Sequence, residues 1–343
     1  MILSWNKQQP FIIAEMSGNH NQSLENALKI VEAVAQSGAH GLKLQTYTAD
    51  TMTVKCNKDS FFIADESSLW KGEYLYSLYQ KAYTPWEWHE PIFKRARELG
   101  LIAFSTPFDL TAVDFLEELD CPIYKIASFE NVDLRLVKRV AETGKPVIMS
   151  TGMATLAELD EAVRTIRETG NDQITLLKCT STYPADPRDS NLRTIPHLKE
   201  LFGCEVGLSD HTLGIGVAVA AVALGATVIE KHFTLSRAEG GVDAAFSLEP
   251  HEMKLLVEET QRAYQALGKV HYGPTESEKK SLVYRRSLYF VKDMAAGDVI
   301  TEECIRSIRP GYGLPPKYYD VLLGKQVNQA VERGTAVSWA HIG

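Results

Sequence analysis

The sequence predicts an α/β protein: a (β/α)8 barrel followed by a small β-rich domain. Three observations carry this. Eight short apolar runs alternate with longer segments of helical period over residues 1–270. Six of the seven segments between those runs end in glycine, which supplies a left-handed helix cap. From about Arg285 the pattern changes to short strands and turns. Strands apolar throughout, each followed by a helix, mean a parallel sheet covered on both faces. Eight such units in about 250 residues fit a TIM barrel. A doubly wound open sheet is the alternative. It often carries a dinucleotide-binding glycine motif, and here "GIG" at Gly214–Gly216 lacks the third glycine.

The runs, in order, are "FIIAE" (11–15), "GLKLQT" (41–46), "LIAFST" (101–106), "IYKIAS" (123–128), "PVIMST" (146–151), "QITLLKCT" (173–180), "CEVGLS" (204–209) and "ATVIEKH" (226–232). Between them lie "SLENALKIVEAVAQSG", "PWEWHEPIFKRARELG", "DLTAVDFLEELD", "NVDLRLVKRVAETG", "TLAELDEAVRTIRETG", "NLRTIPHLKELFG" and "LGIGVAVAAVALG". Many open with Ser, Asp, Asn or Thr, whose side chains cap a helix N-terminus. A last helix is expected over 250–268. Residues 271–284, rich in charge with Gly and Pro, read as a linker, and 285–343 as a separate domain. A domain of about 60 residues is marginal alone and is expected to pack on something.

The chain has 343 residues, 45% hydrophobic and 23% charged, with a net charge of −8. That balance argues against non-specific nucleic-acid binding. It leaves room for an anionic small ligand, because salt screens distant charge over roughly 8 Å. Cys56, Cys121, Cys179, Cys204 and Cys304 are scattered, odd in number and form no CxxC, as expected for free thiols in a reducing cytosol. No stretch approaches the ~20 apolar residues that span a bilayer, and the N-terminus lacks a signal-like pattern, so a cytoplasmic protein without membrane attachment is expected.

In a (β/α)8 barrel the active site lies at the C-terminal ends of the strands. Those ends carry Glu15 with Asn19 and His20; Lys43 and Gln45; Ser105 and Thr106; Lys125, Ser128 and Glu130; Ser150 and Thr151; Lys178, Thr180, Ser181 and Tyr183; Ser209, Asp210 and His211; Glu230, Lys231 and His232. A lysine midway along an apolar strand is costly to bury unpaired. Lys43 and Lys125 are two such lysines, and they require anions: Glu15 and Glu130, or a bound phosphate and carboxylate. Either lysine alone serves a structural ion pair as readily as a ligand. One strand-end histidine is more often a satisfied core residue than a metal ligand. His211 and His232 on adjacent strands make a metal seat a serious reading, with Asp210 and Glu230 to orient the rings or neutralise the ion. Nine aromatic residues between Phe61 and Trp88 follow the second run and are expected to overhang the mouth. Part of that stretch is helix packing, and part suits a sugar with apolar substituents.

The segments "FIIAEMSGNHNQSLENA", "LKLQT", "FSTPFD", "YKIASFE", "IMSTGMA", "CTSTYPAD", "GLSDHTLG", "ALGATVIEKHFT" and "IRPGYG" together resemble the sialic acid synthase family. They run in order along nearly the whole chain. The end of the chain is similar to that family's antifreeze-protein-like (β-clip, SAF) domain, and "LWKGEYLYSLYQKAYTPWEWH" is most similar to its pseudaminic acid branch. The resemblance implies a condensation of phosphoenolpyruvate with an open-chain amino sugar, giving a nine-carbon 2-keto acid and phosphate by C–O cleavage, assisted by Mn2+ or Mg2+. For that branch the sugar is 2,4-diacetamido-2,4,6-trideoxy-L-altrose; a mannose-type sugar, as for N-acetylneuraminate or legionaminate, is the alternative.

By resemblance, Lys43, Thr106, Lys125, Ser128, Ser150, Ser181 and Ser209 hold phosphoenolpyruvate, with Lys43, Lys125, Glu15 and Glu130 as catalytic residues. Glu15, Gln45, Tyr183, Glu230 and Asp243 line the sugar, and His211 and His232 hold the metal. Arg309 of "IRPGYG" is lent by the C-terminal domain of one subunit to the other's site, implying a homodimer with exchanged domains. Ser181 stands where sialic acid members commonly have Asn. "SGNH" replaces the usual "GVNH" or "GINH", and "LKLQ" replaces "VKFQ" or "VKHQ". These departures point to a different sugar. Two rivals remain: an aldolase in which Lys43 or Lys125 forms a Schiff base with pyruvate, and a sugar-binding module without turnover.

Overall fold

The computed structural model describes residues 9–66 and 68–343. Eight parallel strands close into a barrel in chain order. They are β1 (Phe11–Glu15), β2 (Gly41–Thr46), β3 (Ile102–Pro107), β4 (Tyr124–Ile126), β5 (Val147–Ser150), β6 (Ile174–Cys179), β7 (Glu205–Ser209) and β8 (Val228–His232). β1 closes the circle on β8, with Phe11 opposite Val228 and Glu15 opposite His232. Every residue of β1, β4, β5 and β8 is buried, because the barrel interior covers one face and the helices cover the other.

The helices form outside the barrel for the reasons the sequence states. In Leu24–Ser37 the buried residues Ala27, Ile30, Val31 and Val34 recur at helical spacing, and Ser23 caps the first turn by accepting from Asn26 N. The glycines that end the expected helices, Gly38, Gly100, Gly144, Gly170, Gly203 and Gly225, all have φ between 61° and 95°. After Leu110–Glu118, where no glycine is present, Asp120 takes the left-handed conformation instead, with φ 53°. The segment beginning at Pro85 differs from expectation. It makes a 3-10 turn at Trp86–Trp88 before the helix His89–Glu98 begins. Helices Ala49–Met52 and Leu75–Ala82 lie in the long β2–β3 connection.

Strand alternation gives neighbouring residues opposite environments. On β8, Glu230 and His232 face the barrel interior and Lys231 faces out. Lys231 is fully buried; its Nζ donates to Asp210 Oδ2 at 2.8 Å and to Thr212 O at 2.7 Å. Asp210 is therefore committed to an outward ion pair and does not orient the imidazoles, contrary to the sequence expectation. Lys178 also turns away, donating to Cys179 O and Thr180 Oγ1, as does Ser105, which bonds Thr46 Oγ1 at 2.6 Å. Inside the barrel the walls are close. A Cβ on Gly207 would stand 2.2 Å from Val228 O and 2.6 Å from Leu177 Cδ2, so β7 admits only glycine there.

Residues Lys269–Gly343 form a second compact unit. The stretch expected as a linker groups with this unit: Glu278–Tyr284 is a 3-10 helix, and Val283 O accepts from Gly311 N at 2.8 Å. β9 (Ser287–Phe290) and β10 (Ile305–Ile308) pair antiparallel, with Phe290 opposite Ile305. The unit has its own core, including Leu288, Phe290, Ile300, Ile305, Leu322 and Val337. Among the described residues no helix is long and apolar enough to cross a membrane.

The outward ion pair generates a stability prediction. Lys231→Met strands the Asp210 carboxylate in an apolar layer and is expected to cost about 3–5 kcal/mol. The double variant with Asp210→Asn recovers most of that loss. Urea unfolding measures both. A Lys231→Met protein as stable as the parent contradicts a supporting role for the pair.

Candidate active site

The C-terminal ends of the strands gather a buried charge cluster. Lys43 Nζ on β2 lies 2.8 Å from Glu15 Oε2 on β1 and 3.5 Å from Glu230 Oε1 on β8. It also donates to Thr106 Oγ1 on β3 at 3.2 Å. Gln45 Nε2 donates to Glu15 Oε1 at 2.9 Å, and Ser209 Oγ donates to Glu230 Oε1 at 3.3 Å. The register brings these groups together: Glu15 sits opposite Lys43, Gln45 opposite Thr106, and Ser209 opposite Glu230. Burial works against the charge on Lys43, but Glu15 and Glu230 outweigh it and hold the ammonium above the ordinary lysine value. Burial raises Glu15, against the pull of Lys43 and with help from Glu230. Burial pushes Glu230 the same way, but Lys125, Lys43 and His211 outweigh it and keep this carboxyl low.

Lys125 on β4 is different. Its ammonium is 1% exposed and donates to Ser150 Oγ at 2.6 Å and to Ile126 O at 3.1 Å. Among the described residues no carboxylate lies within salt-bridge distance of it. Burial lowers its proton affinity, and Glu230 only partly offsets this. A buried cation held by neutral oxygens is a seat for an anion brought by a ligand. Beside it, Gly152 N donates to Ser128 Oγ at 3.1 Å. A Cβ on Gly152 would stand 2.2 Å from Ser181 Oγ and 2.7 Å from Ser128 Oγ. Ser128 and Ser181 thus converge on one glycine that leaves them room, beside the Ser150 that holds Lys125.

The two histidines meet on the other side of the mouth, ring centroids 5.4 Å apart. His211 Nδ1 lies 2.9 Å from Thr180 O; donating there leaves Nε2 with its lone pair free. His232 Nδ1 is buried without a hydrogen-bond partner, and Asp243 Oδ2 is 3.6 Å away. Burial holds His232 neutral, its pKa well below the ordinary value. Burial opposes a proton on His211 as well, but Cys179, Thr180 O and Glu230 outweigh it and raise its pKa. The neutral His232 with its orphaned nitrogen and nearby carboxylate fits a divalent cation, which would displace the proton from His211. Among the described residues no group of three His, Cys, Asp or Glu side chains completes a ligand set, so substrate or water oxygens would fill the remaining positions.

A cavity of about 540 Å³ opens above these groups. Its polar edge includes Ser17, Gln45, Glu130, Tyr183, His232 and Asp243. Its apolar wall includes Trp70, Leu75, Leu78, Phe108 and Phe129. Of the nine aromatics between Phe61 and Trp88, only Trp70 and Tyr79 line it. Trp86 instead stacks on Phe115, and Trp88 packs edge-on against His20. His20 is likewise structural, its Nε2 3.2 Å from Thr84 Oγ1. Burial raises Glu130 to about 7, with Lys125 pulling the other way. Tyr183 packs on His211, with ring centroids 4.5 Å apart. Arg309 lies in the second unit and is exposed there.

Sequence reasoning missed Ser17, Gly152, Phe108 and Phe129 as site residues. Ser17 follows Glu15 by two positions, so alternation alone pointed to it. Phe129 and Gly152 lie one or two residues past a strand-end serine, where no local pattern marks them.

A closed barrel with a buried ammonium, two adjacent histidines and a cavity of about 540 Å³ at the strand C-termini has the layout of a (β/α)8 enzyme. The particular family is then set by comparison. The chain matches the NeuB family over residues 30–272 and the SAF domain over residues 285–343, and it belongs to the NeuB family. It is 44% identical to the pseudaminic acid synthase of Helicobacter pylori over 96% of this chain and 97% of that protein. It is 38% identical to the N,N'-diacetyllegionaminic acid synthase of Campylobacter jejuni, over 93% of this chain and 96% of the other. Among solved structures it is similar to the N-acetylneuraminic acid synthetase of Leptospira borgpetersenii, with a TM-score of 0.72 and 32% identity over 81% of this chain and 92% of that one.

Proposed function

We propose that this chain condenses phosphoenolpyruvate with 2,4-diacetamido-2,4,6-trideoxy-L-altrose to give pseudaminic acid and phosphate. The observation that carries the reaction is Lys125, a buried ammonium with no carboxylate in contact among the described residues, placed in one mouth with Lys43, His211 and His232. The higher identity to a pseudaminic acid synthase than to a legionaminic acid synthase supports the choice of sugar.

Lys43 with Thr106, and Lys125 with Ser128, Ser150, Ser181 and Ser209, hold the two anionic ends of phosphoenolpyruvate. Fixing both ends aims C3 at the sugar aldehyde, and such orientation is worth roughly 7–11 kcal/mol. The enol electron pair forms the new C–C bond, leaving an oxocarbenium at C2. Water adds there, and the tetrahedral intermediate expels phosphate by breaking its C–O bond. Glu130, near 7, accepts the proton of that water. Glu15, whose affinity for a proton is raised, transfers the proton at the sugar oxygen. Gln45, Tyr183, Glu230 and Asp243 position the sugar. His211 and His232 would hold a divalent cation, manganese or magnesium, which supplies Lewis acidity toward the aldehyde.

Four outcomes are expected. Chelation abolishes turnover and manganese or magnesium restores it; His232→Ala lowers kcat at least about a hundredfold, consistent with the loss of several kcal/mol of charge stabilisation, without moving the unfolding midpoint. Full activity after chelation refutes the metal role. With phosphoenolpyruvate carrying oxygen-18 at the bridging position, the label leaves in phosphate, and release is fastest with the altrose derivative. Faster release with a mannose-type sugar would reassign the substrate.

We also propose a homodimer in which Arg309 of each subunit completes the other's sugar site. Its side chain is exposed and so available. Arg309→Ala and Lys125→Ala chains, each inactive alone, regain activity when co-expressed as mixed dimers. Mixed dimers that stay inactive rule the exchange out.

A further inference from the structure

Ser17 occupies a backbone conformation that favours glycine. Its φ is 47°, in the left-handed region where a side chain is strained and glycine is not. A residue held there against that cost points to work done by its side chain. The hydroxyl is buried at the cavity edge and makes two bonds. It donates to Asp243 Oδ2 and accepts from Gln45 Nε2 at 3.1 Å. The same Gln45 nitrogen donates to Glu15 Oε1, and the same Asp243 oxygen lies 3.6 Å from His232 Nδ1.

The backbone around Asp243 is held independently of Ser17. Asn19 Nδ2 donates to Phe233 O at 2.9 Å and to Ser247 Oγ at 2.8 Å, and Ser247 Oγ donates to Asp243 O at 2.7 Å. Asn19 Oδ1 accepts from Asp243 N at 3.3 Å. Removing the Ser17 hydroxyl therefore frees the Asp243 carboxylate and leaves the Gln45 amide held only by Glu15, while the loop stays in place. Both groups edge the sugar end of the cavity. The phosphoenolpyruvate groups around Lys125 receive no bond from Ser17.

We infer that Ser17 is a positioning residue for the amino sugar: its hydroxyl orients the Asp243 carboxylate and, through Gln45, the Glu15 carboxylate. The inference rests on the proposed condensation and deepens it. A lost hydrogen bond to a charged group corresponds to a roughly tenfold or larger effect on binding.

The test compares Ser17→Gly and Ser17→Ala with the parent enzyme in steady-state assays against both substrates, with thermal unfolding alongside. Ser17→Gly relieves the strain and is expected to unfold no earlier than the parent. Its KM for the amino sugar rises about tenfold or more, while its KM for phosphoenolpyruvate stays within about twofold. Ser17→Ala keeps the strain, unfolds earlier than Ser17→Gly and shows the same rise for the sugar. An unchanged sugar KM in Ser17→Gly overturns the inference, and so does an equal rise for both substrates. A parent enzyme inactive with every amino sugar overturns the proposed function, and this inference with it.

Discussion

Lys125 carries a positive charge into a closed barrel and, among the described residues, hydrogen-bonds a serine hydroxyl and a backbone carbonyl. Much of the upper barrel depends on making that tolerable. Lys43, one strand pair away from β4 across β3, is paired directly to Glu15 and less closely to Glu230. The two carboxylates nearly balance the two ammonium groups, so the cluster is costly but not unbalanced. The balance is uneven in space. Glu15 leans on Lys43, and Lys125 is left with the field of Glu230 at a distance. An anion arriving at Lys125 completes the pairing, which makes ligand binding and relief of desolvation the same event.

The barrel makes this arrangement possible because strand alternation separates supporting charges from working ones. Asp210 and Lys231 neutralise each other outside the barrel wall, while His211, Glu230 and His232 face the cavity. The outer pair ties the segment after β7 to β8, the two strands that carry the histidines. The inner wall allows little adjustment: Gly207 has a carbonyl where a side chain would stand. Groups mounted on such a wall keep their spacing without reorganising, which is what electrostatic stabilisation of a reaction requires.

The sugar end of the cavity is built differently. Ser17, Trp70, Asp243 and Phe129 come from connections, not from strands. They are fixed by hydrogen bonds between distant segments, such as Trp70 Nε1 to Val242 O at 2.9 Å and Asn19 to the loop that bears Asp243. Strand-borne charges beside a loop-built cavity edge separate the fixed part of the mouth from the part that can vary, since loops can change without moving the barrel.

The amino-acid order by itself determined the eight strands, the glycine-capped helices and the strand-end positions of Lys43, Lys125, His211 and His232, because period and capping are local properties of the chain. It also marked residues 285–343 as a change of pattern. It did not show the 3-10 helix at Glu278–Tyr284, and it could not say which of the nine aromatics pack as helix and which reach the cavity, where Trp70 and Tyr79 stand. Asp210 was assigned to the histidines because it is adjacent in sequence, although strand alternation sends it the other way. Tertiary structure alone decided which charge pairs with which, that Lys125 has no contacting carboxylate among the described residues, and that Ser17 meets Asp243 from 226 residues away. Such pairings depend on barrel closure and on the register between strands far apart in the chain, and no local pattern carries that information.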